Sequence, residues 1–166
     1  EQDDAPALKR LYDPARPRPA LLDRKRESIA PTLDEVRELL NLKEAKFGAF
    51  YAIEDRRGEV CGFCVLRGAH PEVRYAEFVV MLFGDDDYAT PLADDVFAHL
   101  LRQAFTQLQL NKVIAQVLDW ETAYRQALVR HGFVSDGVQR DVVFAQGRWF
   151  HLETLSLFNP AGHGGS

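Results

Sequence analysis

Three consecutive aspartates, Asp85, Asp86 and Asp87, follow an apolar run (Tyr75 to Phe83) and Gly84, and stand just ahead of an amphipathic stretch that opens at Pro91. A strand that turns directly into a helix N-terminus points unpaired N–H groups and a positive dipole end outward, which suits an anion. The side chains at this junction say the reverse. Asp94 and Asp95 extend the acidic field by one turn, and no Lys or Arg lies between Arg74 and Arg102. Clustered carboxylates also suit Mg²⁺ or Ca²⁺. A solvated acidic loop is the simpler reading, and no metal is expected.

Glu77 is a second candidate. Strand alternation places it with Val79 and Met81 on one face, opposite Phe78, Val80 and Leu82. A carboxylate in apolar company has a raised pKa and suits a proton acceptor; a solvent-facing strand glutamate is the bland alternative. Cys61 and Cys64 have CxxC spacing. On a strand, residues three apart face opposite ways, so neither a disulfide nor a shared metal is expected. His99 and His131 read as helix-surface residues, Trp120 and Trp149 as packing residues. Arg16, Arg18, Arg24, Lys25 and Arg26 form a basic segment whose default role is surface charge.

The elements that must position these groups follow from periodicity. A short helix is expected over Asp4–Tyr12, then a Pro-rich extended segment (Pro14, Pro17, Pro19), then a charged turn at Asp23–Glu27. Thr32-Leu-Asp-Glu35 is a capping box opening a helix to about Leu42. Phe47–Glu54 and Glu59–Arg67 form a hairpin around the turn at Asp55–Gly58, and Tyr75–Phe83 is the next strand. Leu92, Val96, Leu100, Ala104 and Leu108 are the stripe of a helix from Pro91 to Leu108. A strand at Lys112–Leu118, a helix at Trp120–His131 capped by Gly132, a strand at Phe133–Ala145 with a turn near Ser135–Gly137, and a strand at Trp149–Phe158 complete the chain. This order predicts a single α/β domain over residues 1–158. Its sheet is mostly antiparallel around one parallel crossover, and residues 159–166 form a disordered tail.

Net charge is −5 over 166 residues, which argues against a general nucleic-acid binder. No apolar run reaches the roughly 20 residues of a membrane span. Two cysteines in a chain of this size point to a reducing, cytoplasmic setting.

The ordered spacing of Tyr88-Ala-Thr90, Phe97 to Val117 and Leu128 to Leu157 resembles the GNAT acyltransferase superfamily. The nearest likeness is to the branch that acetylates ribosomal-protein N-termini. His131-Gly-Phe133 is similar to the family's signature at this point, and Gly137, Arg140 and Gly147-Arg-Trp149 to the hairpin that follows. The resemblance implies a GNAT-like fold with a splayed central parallel pair, and a first family strand expected before Glu1. It implies an enzyme that moves an acyl group from a thioester or ester to a primary amine of a small molecule or peptide. Acetyl-CoA is the family's donor. The binding residues implied for it are Met81, Leu82, Phe83, Asp85, Asp86, Asp87, Tyr88, Ala89, Thr90 and Glu121.

The likeness has gaps. With Tyr88 on the family's aromatic, Asp85 and Asp87 fall on two glycine positions, and Glu121 replaces an asparagine. Tyr124 replaces a serine near the thiol. Leu128 takes the place of the tyrosine that acts as acid in other branches, so Tyr124, one turn earlier, is the available acid. Glu77 is the implied base. Arg16, Arg18, Arg26 and His70 are the implied acceptor contacts. The acidic loop leaves other donors open, a carrier-protein thioester or an aminoacyl-tRNA, and also a non-catalytic protein that has lost the CoA site. A homodimer is expected from the family.

Overall fold

The computed structural model describes residues 4–22, 31–37, 50–69 and 72–162. Arg26, His70, the charged turn at 23–27 and the second half of the predicted second helix lie outside these residues. The described elements are α1 (Ala5–Lys9), β1 (Phe50–Glu54), β2 (Val60–Arg67), β3 (Tyr75–Leu82), α2 (Pro91–Arg102), β4 (Lys112–Leu118), α3 (Thr122–Arg130), β5 (Val134–Ala145) and β6 (Arg148–Phe158). Residues 33–37 are helical, and the capping box forms: Thr32 N–H donates to Glu35 Oε2 at 2.6 Å and Glu35 N–H to Thr32 Oγ1 at 3.3 Å.

The six strands are ordered β1-β2-β3-β4-β6-β5. Only β3 and β4 run parallel, and their pairing is short: Tyr75 with Lys112, Ala76 with Val113 and Glu77 with Ile114. Beyond Glu77 the two strands part. This splay, and the turn that ends β3, position everything discussed below.

The two larger cores cover the two faces of the sheet, and a smaller cluster of Leu118, Ala145, Phe150 and Leu152 joins β4, β5 and β6. Phe78, Val80 and Leu82 point to the face packed by α2 and α3, with Ala93, Phe97, Leu100, Tyr124, Ala127 and Leu128. Phe63, Val65, Val79 and Met81 point to the opposite face, under Ala5, Leu8 and Leu11 from α1 and its exit and Val36 from the helical turn at 33–37. The alternation read from the sequence of β3 is therefore the real one. The helix from Pro91 ends its α-helical part at Arg102 and loosens into a π turn at Gln103–Gln107.

Three local expectations need correction. A bulge at Glu54–Val60 against Ile53–Gly62 shifts the β2 register by one residue, so Cys61 and Cys64 both pack against the same core. Each remains a free thiol. No turn interrupts residues 133–145: β5 runs through and absorbs the irregularity as bulges between Ser135 and Gly137 and between Gln139 and Val143. The start of the tail is tied down. The Asn159 side-chain amide donates to Leu110 O at 3.0 Å, and Asn159 N–H donates to Asn111 O at 2.8 Å. A short polar side chain has thus found the carbonyls left free where the π turn ends.

Gly62 sits at the bulge, where an added Cβ would collide with the Met81 carbonyl oxygen and lie 2.8 Å from Leu82 Cδ2. Gly62→Ala is expected to destabilise the fold by about 1–3 kcal/mol, as overpacking does. Urea denaturation checks this, and an unchanged midpoint would contradict it.

Candidate active site at the splay

Where a parallel pair parts, each strand is left with an edge of unpaired peptide groups, and buried groups of that kind must find partners. On β3 these are the polar groups of Phe78, Val80 and Leu82. The Tyr124 hydroxyl donates to Phe78 O at 3.2 Å and accepts from Val80 N–H at 3.2 Å. The Tyr88 hydroxyl donates to Val80 O at 3.2 Å and accepts from Leu82 N–H at 3.0 Å. Arg18 then donates to the Tyr88 hydroxyl at 3.3 Å and to Leu82 O at 3.2 Å. Two tyrosines and one arginine therefore complete the edge of β3 along the splay. Tyr124 is fully buried, and burial holds its hydroxyl well above the usual phenol range; Tyr88 is raised for the same reason. The acid role expected of Tyr124 meets a prior commitment, because its proton already lies on Phe78 O.

Arg18 arrives on a strap, residues 13–22, that crosses the splay. Trp120 anchors it: the indole N–H donates to Pro17 O at 2.6 Å, and the Arg16 and Arg18 guanidinium groups lie over the Trp120 ring at 4.5 and 5.1 Å. Beyond Arg18 lies Glu121, 5% exposed, whose Oε1 is 3.8 Å from Arg18 Nη1 and whose Oε2 accepts from Leu118 N–H at 2.8 Å. Desolvation pushes the Glu121 carboxyl up to about 7, outweighing the Leu118 N–H and Arg18, which pull it down. The sequence gave no sign of this burial of Glu121 or of its arginine.

The acidic loop is built differently from the expected cradle. Asp86–Ala89 is a single 3₁₀ turn that precedes α2. The α2 N-cap is Thr90, whose Oγ1 accepts from Ala93 N–H at 3.3 Å, while Asp94 N–H bonds Thr90 O and Pro91 has no N–H. The aspartates do not converge. Asp85 pairs with Arg16 at 2.5 Å, Asp87 Oδ2 accepts from Gly84 N–H at 2.9 Å, and Asp86 is exposed. Among the described residues, no three His, Cys, Asp or Glu are grouped to hold a metal ion. Arg130 ties the other end, donating to Tyr88 O at 2.9 Å and to Asp94 at 2.8 Å. Ala89 is exposed on the loop, and Phe83 carries the Arg10 guanidinium over its ring at 4.2 Å.

Glu77 sits at the apex of the splay, the last β3 position paired with β4. It is not in apolar company. Arg67, directly opposite on β2, forms a double hydrogen bond to Glu77 Oε2 and also donates to Ala20 O of the strap at 3.0 Å. Alternation predicted the face of Glu77 but not its cross-strand partner. The splay thus brings together Tyr88, Tyr124, Glu121 and Arg18, while Glu77 stands at its apex on Arg67, whose other bond reaches the strap. Arg16 meets the acidic loop rather than the acceptor side. Met81 is buried on the α1 face, away from this cluster.

A model of the acetyltransferase (GNAT) domain matches residues 1–134. The chain belongs to the GNAT acetyltransferase family. This is the family that the resemblance implied. Probable N-acetyltransferase YjcK of Bacillus subtilis is 26% identical over 119 residues, 71% of this chain and 64% of that protein, so the match spans under two thirds of that relative. The spermidine N-acetyltransferase of Vibrio cholerae in complex with CoA and spermine superposes with a TM-score of 0.77 at 20% identity, over 96% of this chain and 92% of that one. Its dodecameric form superposes at 0.76 with 21% identity, over 99% and 93%. At these identities the neighbours establish the fold. Nothing in them favours a carrier-protein or tRNA-borne donor; the ligand named beside spermine is CoA.

The family implies CoA, and part of the cradle expected for it is engaged within the chain. The Gly84 and Ala93 N–H groups are taken by Asp87 and Thr90, and the β3 edge in the splay is taken by Tyr88, Tyr124 and Arg18. An extended ligand arm has no free peptide group on β3 there to pair with.

The raised Glu121 carboxyl has a measurable consequence. Its folded value near 7 stands above the ordinary 4.5, so the folded chain holds this proton longer than the unfolded chain. Stability from this group is complete below about pH 4.5 and is lost as pH rises through about 7, to the extent of about 3 kcal/mol. The expected result is that the stability difference between wild type and Glu121→Gln changes steadily between about pH 5 and 7.5 in urea melts and is flat above. A difference independent of pH would show the carboxyl to be ionised throughout.

Proposed function

We propose that this domain is an N-acyltransferase that moves an acyl group from a thioester or ester to a primary amine of a small molecule or peptide. The observation that carries the reading is Glu77 at the apex of the splay, where β3 and β4 part. Arg67 orients it, half-buried, where it can receive the proton an amine must lose on acylation. Its donor reading is an acyl-CoA, on family membership and on the CoA named with a structural neighbour. Tyr88, Glu121 and Tyr124 shape the splay wall, with Tyr124 as a positioning residue for β3. Leu82, Phe83, Asp85, Asp86, Asp87, Ala89 and Thr90 form its rim.

The neighbour's acceptors are polyamines, and an amine acceptor is shared ground with this chain. The dodecameric neighbour makes self-association part of the reading, with exposed Val134, Val138 and Phe144 on the edge strand β5 as a surface for a second copy. We further assign one domain to residues 1–158.

Incubation with acetyl-CoA and a panel of amines (spermidine, free amino acids, a short peptide), read by mass spectrometry, is expected to give a mono-acetylated product. Glu77→Gln, which keeps the shape and removes the base, should lower the rate about 10²–10⁴-fold with little change in stability. No product from a folded sample with any amine removes the reaction and leaves only the fold.

A further inference from the structure

The strap, residues 13–22, crosses the splay without joining the sheet. It holds one 3₁₀ turn at Pro19–Leu21 and no strand. Single polar groups tie it to the rest of the fold. Arg16 reaches Asp85 at 2.5 Å, Pro17 O accepts from the Trp120 indole at 2.6 Å, Arg18 donates to Leu82 O at 3.2 Å, and Ala20 O accepts from Arg67 at 3.0 Å. Its own N–H bonds stay local: Ala15 and Arg16 donate to Asp13, Leu21 to Arg18 O and Leu22 to Pro19 O. Its apolar anchorage is Ala20 and Leu21, each only partly buried. Hydrogen bonds of this kind exchange for water or for a ligand at small net cost. Pro14, Pro17 and Pro19 fix φ at three positions, so the strap moves as a piece.

The β3 carbonyls at the splay differ in what holds them. Tyr124 holds Phe78 O and Tyr88 holds Val80 O, and both tyrosines are packed in the core with α2. Leu82 O is held by Arg18, from the strap. Of the three, it alone can lose its partner without unpacking the core. The group left behind tolerates the loss. Glu121, 3.8 Å from Arg18, has its carboxyl pushed up to about 7 by burial even with the arginine in place. Without the arginine's pull it takes up a proton at neutral pH, so withdrawal leaves no unpaired buried charge. Arg18, 7% exposed in the splay, regains water.

We propose that the strap is an autoinhibitory latch: Arg18 occupies the splay in place of a ligand, and residues 13–22 withdraw to admit one. Latched, Leu82 O is taken by a guanidinium; released, it is free to accept from an N–H of an extended acyl donor. The apparent affinity for that donor is the intrinsic affinity reduced by the released fraction, so weakening an anchor of the strap tightens binding. The latch rests on the acyl-transfer reading only for the identity of the donor.

Calorimetric titration with CoA, and hydrogen exchange of residues 13–22 read by mass spectrometry, test it on the full chain. Trp120→Phe keeps an aromatic ring and removes the N–H that Pro17 O accepts. It is expected to bind CoA about three- to tenfold more tightly than wild type, the contribution of one hydrogen bond, and to exchange faster in the strap. Arg18→Met should show a larger gain; should it fail to fold, Trp120→Phe decides alone. Trp149→Phe, a matched change in the β5–β6 hairpin, should alter neither quantity. Adding CoA to wild type should speed exchange in the strap. CoA binding by Trp120→Phe where wild type binds none supports the latch as well. Affinity in Trp120→Phe no tighter than wild type, an equal gain in Trp149→Phe, strap exchange unchanged or slowed by CoA, or no CoA binding by any folded variant overturns it. Acylated product from wild type beside any of these keeps the acyl-transfer reading and rejects the latch. Tighter CoA binding and faster strap exchange without acylated product from any amine keep the latch and reject that reading.

Discussion

The unpaired edge of β3 is the constraint on which the rest of the structure depends. A parallel pair that opens after three residue pairs leaves peptide groups of Phe78, Val80 and Leu82 in a buried place without a strand to meet them. Leaving a buried donor or acceptor unmet costs on the order of 1–3 kcal/mol each. The chain meets the cost with Tyr88 from the loop, Tyr124 from α3 and Arg18 from the strap. Those three side chains come from distant parts of the sequence, so the one requirement fixes how the loop, α3 and the strap sit relative to the sheet.

A second consequence is electrostatic. Arg18 is drawn into the splay by the oxygens of Tyr88 and Leu82, and its burial brings Glu121 with it. The strap then lies where Arg16 reaches Asp85, and Trp120 holds both arginines from the other side. Acid and base that looked unrelated in sequence are compensating halves of one arrangement. An acidic loop is tolerable at the end of β3 because basic side chains are supplied to it across space. Exposed pairs of this kind contribute little stability; their effect here is to decide the local field.

The family fold was legible because its signals are local and periodic. Alternation in β3, the capping box at Thr32, the stripe of α2 and the Gly132 end of α3 each depend on neighbours in sequence, and each appears in the structure. The site was legible only in part. Glu77, Glu121, Tyr88 and Tyr124 were identified as residues of interest, and Glu77 on its correct face. Their partners were not, because Arg67, Arg18 and the β3 peptide groups are brought to them by strand pairing and by the path of the strap. The bulge that moves Cys61 onto the face of Cys64 was hidden for the same reason: a register shift belongs to two strands at once.

The sequence by itself determined the order of elements, the faces of the strands, the acidity of the loop and the absence of a basic residue near it. These depend on side-chain type and spacing along one segment. Tertiary structure alone decided that the splay is filled, that Tyr124 is bonded to backbone, that Glu121 is buried beside an arginine, and that three arginines gather at the loop. Each of these is a contact across tens of residues. It exists because buried polar groups at the parting strands had to be satisfied by whatever the fold could bring within hydrogen-bond reach.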